Sequence, residues 1–125
     1  MRTLVLSLAL LLLVTGCNRI FGVPLSGTWS GDFSSLGGDS GLLLMTLDEA
    51  CGNVSGTWEA SFSGSLDSGT LSGVAEEFVS LILQPTSDPA CSYSIVAEQK
   101  REALEGTFSS SCSPSDSGTF QLKKR

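Results

Sequence analysis

Residues 53–74 of this 125-residue chain read NVSGTWEASFSGSLDSGTLSGV. Apolar and polar residues alternate along both halves of the stretch, and the pair Ser63-Gly64 between them is typical of a turn. Such alternation indicates strands with one buried and one exposed face, because successive side chains of a strand point to opposite sides. The stretch therefore predicts two antiparallel strands, near 53–62 and 66–74, joined as a hairpin.

The same pattern continues from Ser26 to the last residues, and no window shows a helical period over the length of a helix. We predict one all-β domain, residues 26–125, built as a small up-and-down antiparallel meander. Closure into a barrel is expected, since it removes exposed strand edges. The eight strands are predicted near 27–33, 41–48, 53–62, 66–74, 78–84, 91–99, 103–111 and 117–123.

A weak repeat, in which Gly-Thr precedes a large apolar residue, supports the barrel. Its copies are Ser26-Gly27-Thr28-Trp29, Ser55-Gly56-Thr57-Trp58, Ser68-Gly69-Thr70-Leu71, Glu105-Gly106-Thr107-Phe108 and Ser117-Gly118-Thr119-Phe120. Strand alternation puts the large residues and the glycines on one face, as the interior of a narrow barrel requires. Four aromatic residues are therefore expected inside, either as a packed core or as contacts for a ligand: Trp29, Trp58, Phe108 and Phe120.

The Gly27-Thr28-Trp29 motif on the first strand resembles that of the calycins, the eight-stranded barrels that include lipocalins and avidins. The resemblance implies a basic residue packed over the tryptophan after the last strand, either Lys123 or Arg125. It also implies a carrier of a small apolar ligand, with a cavity near Trp29 and Trp58. The alternative is an interior filled by the chain's own side chains, because the domain is small.

Residues 1–16 have the features of a signal peptide. Arg2 precedes an apolar run of about twelve residues, which is shorter than the roughly 20 residues of a membrane-spanning helix. Val14-Thr15-Gly16-Cys17 resembles the bacterial lipobox. This resemblance implies cleavage before Cys17, acylation of Cys17 by groups such as palmitate, and a lipidated tether over residues 17–25. It places the chain in the cell envelope, and Asn18 favours the periplasmic face of the outer membrane; a plain secretory signal is the alternative.

The remaining cysteines are Cys51, Cys91 and Cys112. Residues that face each other across the turn at Lys100 to Glu102 have numbers adding to about 203, and Cys91 and Cys112 satisfy this sum. We predict a disulfide between these two. A tight turn at Gly52-Asn53 would put Cys51 at the opposite end of the barrel, about 25 Å away, because a strand rises about 3.3 Å per residue. Cys51 is therefore predicted to be a buried free thiol.

The chain contains no histidine, which removes the usual Ser-His and Cys-His nucleophile pairs and imidazole metal ligands. No adjacent acids suit a glycosidase, and no Asp spacing suits a calcium loop. We therefore predict a non-catalytic binding or interaction module without metal or cofactor, and a hydrolytic enzyme is a distant third reading. The net charge of -6 argues against nucleic acid as a partner.

The predicted meander also places the basic and acidic residues differently at its two ends. The near end is defined as the end where the first strand begins and where the turns after even-numbered strands lie; the far end is opposite. Every base after Cys17 falls at the near end or in the tether, where anionic lipid headgroups are a candidate contact. The far-end loops are rich in serine and carry only acids. These loops are the predicted contact for an envelope-protein partner, which is expected to be neutral or basic.

Overall fold

The computed structural model describes residues 23–112 and 115–125, and within them every regular element is a β-strand. Eight antiparallel strands form a closed barrel in chain order, with the last strand paired to the first. No helix in the described ranges is long and apolar enough to cross a membrane. The strands are β1 (Gly27–Ser35), β2 (Ser40–Ala50), β3 (Asn53–Phe62), β4 (Ser65–Ala75), β5 (Val79–Pro85), β6 (Tyr93–Lys100), β7 (Ala103–Ser110) and β8 (Ser117–Lys124).

The predicted closed meander of eight strands is confirmed, and no predicted strand end differs from the observed one by more than two residues. The predicted signal peptide 1–16, the lipidated Cys17 and the first part of the 17–25 tether lie outside the described residues. Alternate residues of each strand face inward and form one core, because the side chains of a strand alternate between its two faces. The most completely buried core side chains include Leu25, Trp29, Met45, Leu81, Leu104 and Leu122.

The glycines of the repeat lie across the strands from large inward-facing side chains. Gly69 on β4 is the partner of Trp58 on β3, and Gly118 on β8 is the partner of Phe108 on β7. A Cβ atom at Gly69 would overlap the backbone carbonyl oxygen of Gln84 on β5. The glycines therefore do more than leave room for the rings, since they also allow neighbouring backbones to approach closely as the sheet curves into a barrel.

The predicted disulfide between Cys91 and Cys112 is present, with Cα atoms 4.6 Å apart. The register that predicted it is also present, because Ile95 pairs with Phe108 and Tyr93 pairs with Ser110. The bond lies just outside the paired strands, since β6 begins at Tyr93 rather than at Cys91. It joins the two segments at the far end where the β6–β7 ladder stops.

The prediction that Cys51 is a buried free thiol is wrong. Cys51 is exposed and disulfide-bonded. The turn is one residue earlier than predicted, since Ala50 pairs with Asn53 and the turn residues are Cys51 (φ 53°) and Gly52 (φ 84°). Positive φ at both central positions is the geometry of a type I′ hairpin, and it places Cys51 outside the core.

The segment before β1 closes the near end of the barrel. Leu25 is fully buried there, and its carbonyl oxygen accepts a hydrogen bond of 2.8 Å from the indole Nε1 of Trp29. The amide of Gln99 on β6 donates to the carbonyl oxygen of Val23 over 2.8 Å. Residues 23–25, which the sequence assigned to the tether, therefore pack against the barrel and cover this end.

A cation does lie against Trp29, although it is neither of the residues predicted. Lys124 Nζ lies 5.8 Å from the centroid of the Trp29 ring, whereas Lys123 and Arg125 are exposed. Strand alternation explains the difference, because Lys124 is on the inward face of β8 together with Leu122, and its two neighbours point outward.

Candidate functional site

The far half of the barrel contains an open cavity of about 610 Å³. Leu43, Leu83 and Ile95 form its inner part, and Ser35, Ser110 and Cys112 lie among its outer residues. Its lining includes some small inward-facing side chains, such as Ala60 and Ser110, while the near half is filled by Trp29, Met45 and the other core residues. One barrel thus has a packed half and a hollow half.

Five aromatic rings line the cavity. Phe33 meets Phe62 and Phe108 edge to face, with ring centroids 6.0 and 6.1 Å away. Trp58 and Tyr93 form a third edge-to-face pair at 5.7 Å. The indole Nε1 of Trp58 donates to the carbonyl oxygen of Thr70 over 3.1 Å, so its polar edge is satisfied by the barrel wall. The rings therefore present mainly hydrocarbon surface to whatever occupies the cavity.

The four aromatic residues that the repeat predicted to lie inside the barrel occupy two different environments. Trp58 and Phe108 line the cavity, and Trp29 and Phe120 do not. Trp29 is fully buried at the closed near end, and Phe120 is 2% exposed within the core. The two predicted alternatives, a filled interior and a cavity, are therefore each met in part. The near half is filled by side chains, and a cavity remains beside Trp58.

Three aromatic residues of the cavity were missed by the sequence reasoning: Phe33, Phe62 and Tyr93. A signal for each of them was available. Phe33 and Phe62 each lie four residues after a tryptophan of the repeat, Trp29 and Trp58, and so share its inward face. Tyr93 also had a signal, because it lies two residues before Ile95 and the register across the β6–β7 turn pairs it with Ser110.

The charged residues that line the cavity are all acids. They are Asp39, Asp67 and Asp116, contributed by different parts of the far end. All five lysines and arginines of the described ranges lie at the near end: Lys100, Arg101, Lys123, Lys124 and Arg125. The mouth is therefore an aromatic pocket with a negatively charged rim, and no described cation offsets that charge.

Two groups at the mouth have shifted pKa values. Burial, and then the nearby carboxylates of Asp67 and Asp116, raise the pKa of the Tyr93 hydroxyl above its usual 10.0. Hydrogen bonds from the Ser35 hydroxyl and from the backbone N–H groups of Ser117 and Gly37 lower the pKa of Asp116 below 3.8. Tyr93 is therefore neutral and Asp116 is ionised at neutral pH.

Asp116 also fixes the shape of the rim. Its Oδ1 accepts hydrogen bonds from Gly37 N at 3.2 Å and from Ser117 N at 2.8 Å. Leu36 N donates to the carbonyl oxygen of Ser117 over 2.8 Å. The loop between β1 and β2 is thereby held against the start of β8, and this side of the mouth has a defined form.

In the described ranges, no group of three or more acids or cysteines could hold a metal ion.

No protein-family model matches the chain, and no curated protein matches it. Solved structures with this architecture do match. One is described as a de novo designed fluorescence-activating β-barrel, with a TM-score of 0.68 at 14% identity over 81% of this chain and 94% of that chain. Another, a redesigned barrel named mFAP1 and bound to DFHBI, has a TM-score of 0.70 at 12% identity over 80% of this chain and 94% of that chain.

A third similar structure, mFAP2b bound to DFHBI, has a TM-score of 0.72 at 10% identity. It aligns over 81% of this chain and 94% of that chain. At these identities the likeness shows the fold, a small eight-stranded antiparallel closed barrel.

Proposed function

We propose that this chain is a binding protein whose barrel holds a small, largely apolar molecule in the far-end cavity. The observation that carries the proposal is the open cavity of about 610 Å³ lined by Trp58, Tyr93 and three phenylalanines. Its volume falls within the roughly 300–1,000 Å³ usual for small-molecule sites. Two of the similar designed barrels are described as bound to DFHBI, which supports a barrel of this size as a ligand container.

Among the described residues, the cavity opens at the far end, because Leu25 and the segment around it cover the near end. The inner lining is hydrocarbon, from Leu43, Ala60, Leu83 and Ile95. Ligand affinity would therefore come mainly from apolar burial, at about 25 cal/mol per Å² before the costs of association. We propose binding rather than catalysis, since the ionised groups lie around the apolar chamber instead of converging within it.

Titration with the neutral dye N-phenyl-1-naphthylamine, whose emission rises in apolar surroundings, tests this function. Ala60 faces the cavity, so Ala60→Phe fills it, while Ser61→Phe places the same ring on the exposed face of β3. We expect saturable binding that Ala60→Phe weakens at least about tenfold and Ser61→Phe leaves unchanged, because loss of the apolar contacts removes about 1.4 kcal/mol or more. Absence of saturable binding, or equal effects of both variants, would contradict the proposal.

We further propose that the chain acts in the bacterial cell envelope and is anchored by lipid on Cys17. The signal-like residues 1–16 and the lipobox-like Val14-Thr15-Gly16-Cys17 support this, as does the disulfide content, because disulfides persist in oxidising compartments.

Intact-mass and peptide analysis of the protein from its membrane fraction tests the anchor. The anchor predicts a mature chain that begins at Cys17 and carries acyl mass, and a Cys17→Ser variant that is absent from that fraction. A mature chain without acyl mass would overturn the anchor. The ligand-binding proposal does not depend on this result.

Docking of an envelope protein on the far-end loops is the competing function. Protein docking would use the same acidic rim but not the cavity behind it. A variant that fills the cavity therefore distinguishes protein docking from small-molecule binding. Cross-linking in cells through the rim would recover one specific protein, and Ala60→Phe would leave that cross-link intact. Dye binding that Ala60→Phe abolishes, with no specific cross-linked protein, favours the small-molecule site.

A further inference from the structure

We propose that the cavity selects a cationic ligand: a small molecule with an aromatic or aliphatic body and a single protonated or quaternary amine. The inference rests on the proposed function and adds the chemical class of the ligand. In the bound state, the apolar body fills the inner chamber and the ammonium group lies at the mouth, between the aspartates and the aromatic rings.

The distribution of charge is the first argument. Asp39, Asp67 and Asp116 line the cavity, and every described lysine and arginine lies at the other end of the barrel. A cleft lined by charges of one sign with low-dielectric walls concentrates the field and raises the local concentration of the opposite charge. A carboxylate or phosphate ligand would be repelled from this mouth, whereas an ammonium ion would be drawn toward it.

The carboxylates are held in place around the mouth. Asp67 faces inward on β4, and its Oδ1 accepts hydrogen bonds from Ser68 N at 2.9 Å and Ser87 Oγ at 3.2 Å. Asp116 is fixed by Gly37 N and Ser117 N, as described above. Both carboxylates line the cavity together with Tyr93, whose pKa burial raises first and the two carboxylates raise further. Preorganised acceptors of this kind stabilise a cation without the cost of first ordering the side chains.

The aromatic lining is the second and independent argument. An ammonium group within about 6 Å of a ring centroid is attracted by the negative face of the ring. The rings of Phe33, Phe62 and Phe108 all line the cavity, and Phe33 meets the other two at interplanar angles of 81° and 83°. Aromatic rings and ionised carboxylates therefore line the same cavity, and both favour a cation over an anion.

Three ligands of the same shape test the proposal: 1-naphthylmethylammonium, the neutral 1-naphthylmethanol and the anionic 1-naphthoate. Isothermal titration calorimetry at pH 7 and low salt measures their affinities for the full barrel. We expect the ammonium to bind about tenfold or more tightly than the alcohol, and the carboxylate most weakly. The advantage of the ammonium should shrink in 0.5 M salt, where the Debye length falls below about 5 Å.

The double variant Asp67→Asn/Asp116→Asn removes two rim charges and keeps the acceptor oxygens that the loops need. We expect it to cut the affinity of the ammonium several-fold and to leave that of the alcohol unchanged. The matched control is Glu59→Gln/Glu102→Gln, which removes two exposed charges outside the cavity and should change neither affinity. Circular dichroism and thermal melting of each variant verify that it remains folded.

Equal affinity of the ammonium and the alcohol would overturn the cationic ligand and leave the proposed function standing. The same holds if the double Asp variant weakens both ligands alike. If none of the three ligands binds, and Ala60→Phe has no effect on the neutral dye, the failure lies with the proposed function itself.

Discussion

Lys124 Nζ lies 5.8 Å from the ring centroid of Trp29 and donates a hydrogen bond to the carbonyl oxygen of Pro24. Through these two contacts, one side chain of the last strand holds the first strand and the segment before it. Trp29 in turn donates to Leu25. The closed end of the barrel is therefore held by contacts between residues more than ninety positions apart in the sequence.

Replacement of Lys124 by methionine should destabilise the barrel. The change removes the cation–π contact and the hydrogen bond to Pro24 and keeps most of the apolar length of the side chain. We expect the free energy of unfolding to fall by about 1–2 kcal/mol, as measured by urea denaturation. Lys123→Met, on the exposed face of the same strand, is the control. Equal loss in both variants would show that the contact with Trp29 contributes nothing specific.

The Cys91–Cys112 bond is expected to stabilise the domain and its mouth together. Its two cysteines are 21 positions apart, and a loop of this size corresponds to about 3 kcal/mol in the chain-entropy model. The double variant Cys91→Ala/Cys112→Ala should lose about that much and bind the dye more weakly, because Cys112 lines the cavity. Substitution is preferable to reduction, which would also open the bond at Cys51. A denaturation midpoint equal to that of the parent would refute the prediction.

Gly69 cannot carry a side chain without movement of the neighbouring strand. A Cβ atom there would overlap the carbonyl oxygen of Gln84, and backbone atoms cannot give way as a flexible side chain can. We predict that Gly69→Ala costs about 2–3 kcal/mol or prevents folding. Ser72→Ala, an exposed position on the same strand, should change stability by less than about 0.5 kcal/mol. Comparable effects of the two substitutions would mean that the sheet relaxes at little cost.

Asp116 should make stability depend on pH in the acid range. Its pKa is lowered in the folded state, so the folded protein releases this proton at a lower pH than the unfolded chain does. The resulting contribution is present above the unfolded value of 3.8 and is lost as the pH falls through the folded pKa. Urea midpoints measured from pH 7 to pH 2 should therefore decline less steeply for Asp116→Asn than for the parent protein. Parallel declines would contradict the assignment.

Much of the fold could be predicted from the sequence because each strand carries local information. Alternation identified the strands, and the sum of residue numbers across one turn identified the Cys91–Cys112 pair. The error at Cys51 had a local cause as well. The turn uses Cys51 and Gly52 rather than Gly52 and Asn53, and one residue of slip moves a side chain from the core to the surface.

The cavity could not be predicted in the same way, because its size depends on the combined volume of the inward-facing side chains that several strands contribute to one half of the barrel. Trp29 and Trp58 belong to the same repeat and face the same interior, yet only Trp58 lines the cavity. Trp29 instead donates to Leu25, which packs at the near end from outside the strand pattern. The acidic residues of the far-end loops could be assigned to one end from the sequence. Their position around an aromatic cavity follows only from the closed barrel.

The order of the strands bears on how the protein assembles. Seven of the eight pairings join strands that are consecutive in the chain, and the eighth, β1 with β8, joins Trp29 to Lys124. Hairpins with short loops form in microseconds, whereas the seam between β1 and β8 must overcome the closure entropy of nearly the whole domain. We therefore expect the seam to form last in folding. Until it does, two unpaired strand edges are exposed, and exchange of a terminal strand between two copies is the failure to which this topology is most open.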